Sequence, residues 1–247
     1  MIQALIFDLD GTLVQTERLK AQSYARAAVE LCPYTIDEDD VIEAYKAVVG
    51  RSRREVAEAL IDQFDLAAQA TARMGTFGVA TPWEAFVEVR LRYYTEMVAD
   101  PDVVRAHQWP YRIALLQQAR QNHCKIALAT TSRRAQALHI LRLLDLEDAF
   151  DVIATADDVA HTKPDPEVYH LVLSALDVAP TDSLAIEDSP AGVAAARAAG
   201  VWCVAVTTDF TRAALHRANL LDPRWIVDDP ARLQAVVQAM MDEHAGD

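Results

Sequence analysis

Two aspartates, Asp8 and Asp10, follow an apolar run near the start of the chain. The run, residues 4–7, is closed by the turn signal Gly11–Thr12, which is typical of a buried strand. Where such a strand gives way to a loop, the two carboxylates would diverge, which suits one nucleophilic and one acid–base role. A turn held by aspartate side chains is the alternative that this spacing alone leaves open.

Further polar side chains follow later strand candidates along the chain. The apolar runs 125–129, 152–154 and 183–186 favour buried strands. The polar groups that come after them are Thr130, Thr131, Ser132, Lys163, Glu187 and Asp188. Since the carboxyl ends of parallel strands meet at one edge of a sheet, we expect these groups to lie near the two aspartates. Four carboxylates gathered there would repel one another unless a cation balanced them, and oxygen ligands alone suit Mg²⁺.

The elements that would position these groups are of two kinds. Between residues 16 and 100 the pattern is helical, although residues 65–81 give no clear assignment. From Pro110 onward strand-like runs alternate with helical ones, which is typical of a parallel sheet covered on both faces. We therefore predict an α/β fold, with a doubly wound, Rossmann-like core of residues 1–15 and 101–247. An all-α helical cap, residues 16–100, is expected to be inserted after the first strand.

Composition and charge narrow the function classes. The chain has 247 residues and a formal net charge of −14, from 37 acidic against 23 basic side chains. Such an acidic surface argues against binding to nucleic acid or to an anionic membrane. The three cysteines are widely spaced and are expected to be free thiols, and the chain has neither a leader pattern nor a long apolar run. We expect a cytoplasmic protein that is a monomer or a weak homodimer.

Four motifs carry a resemblance to a known family. They are FDLDGTL at 7–13, TTS at 130–132, KP at 163–164 and IEDSPAG at 186–192. In this order, and with a helical cap after the first strand, they resemble the haloacid-dehalogenase-like (HAD) superfamily of phosphohydrolases. The resemblance covers essentially the whole chain.

The resemblance implies a role for each motif residue. Asp8 would be the nucleophile that forms an aspartyl-phosphate, and Asp10 the general acid and base. Thr130 and the backbone N–H of Thr131 would hold the phosphoryl oxygens, with Ser132 beside them in the substrate site. Lys163 would neutralise the charge on Asp8 and on the phosphoryl group.

A metal site also follows from the resemblance. Asp8, Asp10 through its carbonyl, Glu187 and Asp188 would hold Mg²⁺, which shields the nucleophile from the incoming phosphate. Dehalogenases do not have a second aspartate two residues after the nucleophile, so Asp10 favours phosphate-ester chemistry.

The cap carries candidates for substrate recognition. Residues 50–53 resemble the G-x-S-R loop of β-phosphoglucomutase-like members, in which the arginine holds a second, non-reacting phosphate. Arg53, with Gly50 and Ser52, is therefore expected to bind substrate. A solvated basic cluster is the alternative, because Arg51 and Arg54 are close in sequence.

Two departures separate the chain from the mutases of this family. Lys20 stands where these mutases are expected to have a histidine, and Gln15 where relatives often carry aspartate. Lys20 would hold a substrate phosphate or be a solvated helix lysine. We therefore favour a Mg²⁺-dependent phosphatase acting on a small phosphorylated metabolite, foremost a sugar phosphate. A phosphosugar mutase is the alternative, and a regulatory protein that keeps the fold without turnover is the third hypothesis.

Overall fold

The computed structural model of the chain describes residues 2–49 and 53–246. Contacts within the chain divide it into two units, one of residues 1–15 and 104–247 and one of residues 16–103. In the described part of the chain, no helix is both long enough and apolar enough to cross a bilayer.

The first strand is followed by a run of helices, and from the second strand onward strands and helices alternate. The strands are β1 (Ala4–Phe7), β2 (Lys125–Ala129), β3 (Val152–Ala154), β4 (Ser183–Glu187), β5 (Trp202–Val206) and β6 (Ile226–Val227). The helices are α1 (Thr16–Leu31), α2 (Glu38–Lys46), α3 (Arg53–Gln63), α4 (Ala67–Phe77), α5 (Pro82–Ala99), α6 (Pro101–Ala106), α7 (Pro110–Gln121), α8 (Arg134–Leu143), α9 (Glu167–Leu176), α10 (Pro190–Ala198), α11 (Arg212–Ala218) and α12 (Leu233–Gly246).

A six-stranded parallel sheet forms the centre of the first unit. Its order is β3-β2-β1-β4-β5-β6, so the chain moves outward from β1 in one direction and then in the other. This order is that of a doubly wound α/β sheet, in which ligands bind at the point where the direction reverses. The predicted fold class is confirmed.

Strand register decides which side chains emerge together. Phe7, the last residue of β1, pairs with Leu128 of β2 and with Ile186 of β4. All four residues of β1 are fully buried, as expected for a central strand covered on both faces. The residues that follow these three strands therefore leave the sheet at the same edge.

The second unit is all helical. Tyr24 of α1 packs between the rings of Tyr45 and Phe86, with ring centroids 5.7 and 5.6 Å apart. Helix α5 begins with a capping box in which Thr81 and Glu84 each accept from the other's backbone N–H. Residues 67–77, which the sequence left unassigned, form α4 and end at Gly78, whose φ is 66°.

Candidate active site

Asp8 leaves the central strand β1 and is 6% exposed. Its backbone N–H donates to the carbonyl of Ile186, and its Oδ1 accepts a hydrogen bond from Lys163 at 2.8 Å. Burial raises the pKa of Asp8 to about 7, against the lowering effect of Lys163, and the negative charges of Glu187 and Asp10 add to the rise. The carboxylate therefore needs further positive charge to remain ionised.

Lys163 is the cation at the centre of this site. Its Nζ donates to Asp8, lies 2.6 Å from Oε1 of Glu187, and donates to the carbonyl of Ala129 at 2.7 Å. Burial alone would lower the pKa of Lys163, but the charges of Asp8 and Glu187 outweigh it and raise that pKa. Lys163 is therefore a permanent positive charge between two carboxylates.

Glu187 is fully buried at the end of β4. Its Oε1 accepts from the hydroxyl of Tyr169 at 2.5 Å as well as from Lys163. Within the described residues its Oε2 has no hydrogen-bond partner. Asp8, Glu187 and Asp188 each offer an oxygen atom within 4.8 Å of the others, which is an arrangement that can hold a divalent cation.

Two glycines leave space for the carboxylates of Asp188 and Glu187, because a glycine has no Cβ. A Cβ built at Gly11, whose φ is +80°, would overlap the carboxylate of Asp188. A Cβ at Gly192, in the first turn of α10, would overlap the carboxylate of Glu187. The backbone therefore approaches both acidic groups more closely than any other residue type allows.

Asp10 makes a separate contact at the same edge. Its Oδ2 accepts from the hydroxyl of Ser132 at 2.5 Å, and the backbone N–H of Ser132 donates to the hydroxyl of Thr130 at 3.0 Å. Thr130 is buried while Thr131 is exposed. Residues that follow β1 and β2 therefore meet at this edge of the sheet.

The second unit gathers several charged side chains around one tyrosine. Arg90 is 5% exposed and lies over the rings of Tyr24 and Tyr94, 5.0 and 4.6 Å from their centroids. Burial raises the pKa of Tyr24, while the charges of Arg90, Arg53 and Lys20 lower it. The predicted cap residues Arg53, which is exposed, and Lys20 are therefore close enough to Tyr24 for their charges to act on it, as the charge of Arg90 does.

Within the cap, Lys20 takes part in a small polar network with Glu17 and Tyr45. Lys20 pairs with Glu17 at 2.6 Å, and Glu17 accepts from the hydroxyl of Tyr45 at 2.9 Å. Gly50 and Ser52, which were predicted to bind substrate with Arg53, lie outside the described residues.

Three residues at these sites were not predicted from the sequence. Arg90 lies on α5 and Tyr169 on α9. Arg112 is buried in the first turn of α7. A charged residue within an otherwise apolar helical face was the one available signal for the two arginines.

The comparisons with known proteins agree with this geometry. The sheet order is that of a doubly wound α/β fold, with the buried Asp8–Lys163 pair at its carboxyl edge. The chain belongs to the haloacid dehalogenase-like hydrolase family, whose sequence profile matches residues 5–206. Like the relatives below, it is a phosphatase of that family, a phosphoric monoester hydrolase.

Two relatives cover most of the chain. It is 32% identical over 222 residues to the validoxylamine A 7'-phosphate phosphatase of Streptomyces hygroscopicus subsp. limoneus, covering 90% of this chain and 93% of that protein. It is 33% identical over 201 residues to the phosphorylated carbohydrates phosphatase of Thermotoga maritima, covering 81% and 82%. The crystal structure of β-phosphoglucomutase from Clostridium difficile shares the fold, with a TM-score of 0.67, 23% identity and full coverage of both chains.

Proposed function

We propose that this phosphatase is Mg²⁺-dependent and hydrolyses a sugar phosphate through an aspartyl-phosphate on Asp8. The observation that carries the proposal is the buried Asp8, hydrogen-bonded to Lys163 at the end of the central strand. A buried carboxylate beside a fixed ammonium is suited to attack the phosphorus of an anionic phosphoryl group. The ammonium offsets the repulsion between the carboxylate and the phosphoryl oxygens.

The reaction would take place in two displacements. In the first, a carboxylate oxygen of Asp8 bonds to phosphorus, the bond from phosphorus to the ester oxygen breaks, and Asp10 gives that oxygen a proton. In the second, Asp10 takes a proton from water as the water oxygen bonds to phosphorus and the bond from phosphorus to the Asp8 oxygen breaks, which releases phosphate and regenerates Asp8. The hydrogen bond from Ser132 to Asp10 supports this role, because it holds the acid–base group in one orientation.

The acidic side chains fit a magnesium ion. Asp8, Glu187 and Asp188 would supply carboxylate oxygens, with the carbonyl of Asp10 as a further ligand. The buried Oε2 of Glu187 accepts no hydrogen bond from the described residues. The raised pKa of Asp8 supports the same view, since a nearby cation favours its ionised form. When bound, Mg²⁺ would supply charge compensation between the nucleophile and the phosphoryl group.

Phosphoryl binding is assigned to the loop after β2. Thr130, buried, and the backbone N–H of Thr131 would hold the phosphoryl oxygens, and Lys163 would meet the charge that they carry. Ser132 would line the same site next to Asp10.

A phosphorylated sugar is the favoured substrate. The relatives named above act on validoxylamine A 7'-phosphate and on phosphorylated carbohydrates. In the cap, the charges of Arg53, Lys20 and the buried Arg90 all act on Tyr24, which supports recognition of an anionic or hydroxyl-rich substrate. A second, non-reacting phosphate on the substrate would also suit these positive charges, and the mutase alternative rests on that feature.

Phosphate release from a panel of sugar mono- and bisphosphates, with and without Mg²⁺, tests the proposal. We expect Mg²⁺-dependent release from a few sugars, lost in Asp10→Asn. Arg53→Ala is expected to raise KM, with Arg54→Ala as its matched control because Arg54 is an exposed partner of Glu58 on the same helix. Isomerisation of a sugar phosphate that requires a bisphosphate activator, with little phosphate release, would favour the mutase instead.

A further inference from the structure

Arg112 is a buried cation close to the acidic site. It is 1% exposed and lies in the first turn of α7, where the positive end of the helix dipole disfavours a positive charge. Burial lowers its pKa to about 10, and the negative charge of Asp188 opposes that fall, so the guanidinium remains charged near neutral pH. A buried charge in an unfavourable position needs compensating contacts.

The guanidinium holds two loops at once. One nitrogen donates to the carbonyls of Gly11 and Thr12, in the turn that follows Asp10. A second nitrogen, Nη2, donates to the carbonyl of Thr207, after β5, at 2.8 Å. Arg112 also stacks on Trp109, its carbon centre 4.2 Å from the ring centroid, which fixes the plane of the fork.

The Thr207 end of this contact is anchored independently. The backbone N–H of Thr207 donates to the carbonyl of Val227 at 3.0 Å, and its hydroxyl donates to Asp228 at 2.9 Å. The start of α7 is also tied to the first loop, because the N–H of Trp109 donates to the carbonyl of Leu13 at 2.9 Å. Arg112 thus connects a firmly held point to the turn beside the acidic groups.

Gly11 lies between Arg112 and the carboxylate of Asp188. Arg112 donates to the carbonyl oxygen of Gly11. The α-carbon of Gly11 is so close to Asp188 that a Cβ there would overlap the carboxylate. A shift of this turn would therefore move both the carboxylate of Asp188 and the carbonyl of Asp10, which precedes Gly11.

We propose that Arg112 is a positioning residue that fixes the Asp10–Gly11–Thr12 turn and Asp188 in the geometry that binds the divalent cation. The inference rests on the metal site of the proposed function. In this proposal Arg112 favours cation binding through its hydrogen bonds to backbone carbonyls. The positive charge of Arg112 alone would weaken cation binding, because it repels a cation.

Titration calorimetry with Mg²⁺ on the full chain distinguishes these effects. For R112Q we expect the Kd for Mg²⁺ to rise about 10–100-fold. This is the usual loss of affinity when a group that orients a metal ligand, without touching the metal, is removed. R112K keeps the charge but not the planar fork, so we expect an intermediate rise in Kd. R120Q, an exposed arginine on the same helix, is the matched control with an unchanged Kd.

Each other outcome overturns the assignment. Wild-type Kd values in both Arg112 variants would leave Arg112 without a positioning role. Tighter binding by R112Q together with a wild-type Kd for R112K would assign it a purely electrostatic effect. Loss of folding in both variants, seen as loss of the cooperative thermal transition, would make it a residue of the core. Failure of the wild-type chain to bind Mg²⁺ would remove the metal site itself, which separates that result from a failure of Arg112 alone.

Discussion

Lys163 Nζ lies 2.8 Å from Oδ1 of Asp8, although 155 positions separate the two residues in the chain. Their side chains are 3% and 8% exposed, so water does little to screen the attraction between them. The same ammonium contacts Oε1 of Glu187, which also accepts a hydrogen bond from the hydroxyl of Tyr169. A fixed positive charge therefore accompanies the nucleophile before any substrate arrives.

Removal of this charge is the first prediction. Lys163→Met is expected to lower kcat/KM for phosphate release by about 10²–10³-fold, the usual loss when a preorganised group that stabilises transition-state charge is deleted. Lys46→Met, which alters a surface pair with Glu43, is the control and should keep wild-type activity. A loss smaller than about tenfold in a folded Lys163 variant would contradict the role given to this lysine.

The second prediction concerns stability and pH in the absence of metal. Burial raises the pKa of Asp8 from 3.8 to about 7, so the folded chain keeps a proton that the unfolded chain releases between these values. The free energy of unfolding therefore falls as the pH rises through this window. In EDTA, Asp8→Asn is expected to raise Tm by about 5 °C at pH 8 and to leave it unchanged at pH 4.

Thermal unfolding at both pH values checks this expectation. Asp209→Asn changes an exposed aspartate of the same unit and should leave Tm unchanged throughout. An Asp8→Asn chain that is less stable than wild type at pH 8 would show that the contact with Lys163 outweighs the cost of burying the charge.

Two helical glycines provide a matched pair for the third prediction. Gly192→Ala would force a Cβ into the carboxylate of Glu187, so we expect a loss of about 1–3 kcal/mol in the free energy of unfolding and reduced Mg²⁺-stimulated activity. Gly75→Ala meets no atom within 4 Å and is expected to add up to about 1 kcal/mol with unchanged activity. Denaturant unfolding and phosphate release measure both, and equal effects of the two substitutions would refute the crowding argument.

The fourth prediction tests the hydrogen bond between Ser132 and Asp10. Ser132→Ala removes a donor to a carboxylate, a contact worth about 1.5–3 kcal/mol, so we expect kcat to fall by about 10–100-fold. Ser174→Ala, an exposed serine on α9, should leave kcat unchanged. Steady-state kinetics would decide, and an unaltered kcat in Ser132→Ala would mean that Asp10 is held by other groups.

Much of the site was predictable because its residues directly follow strands. Once β1 and β4 are parallel and adjacent, pairing of Phe7 with Ile186 makes Asp8 and Glu187 neighbours. The apolar runs that predicted these strands are short, rich in branched residues and bounded by turns. For that reason the sequence could indicate the edge at which the carboxylates would gather.

The remaining features depend on tertiary packing. Residues 67–77 form a helix although their alanines, threonines and glycine show little apolar period, and Ala70 is the buried residue of that helix. The role of Arg112 emerges only when two loops distant in sequence are seen to share one guanidinium.

The most direct test is to detect the phosphoryl group on Asp8. Rapid acid quenching of the wild-type chain during turnover of a phosphorylated sugar, followed by peptide mass spectrometry, should find the peptide that contains Asp8 heavier by one phosphoryl group. Asp8→Asn treated in the same way should give an unmodified peptide. Turnover by the wild-type chain with no phosphorylated Asp8 peptide in any quenched sample, or full activity in Asp8→Asn, would contradict the account.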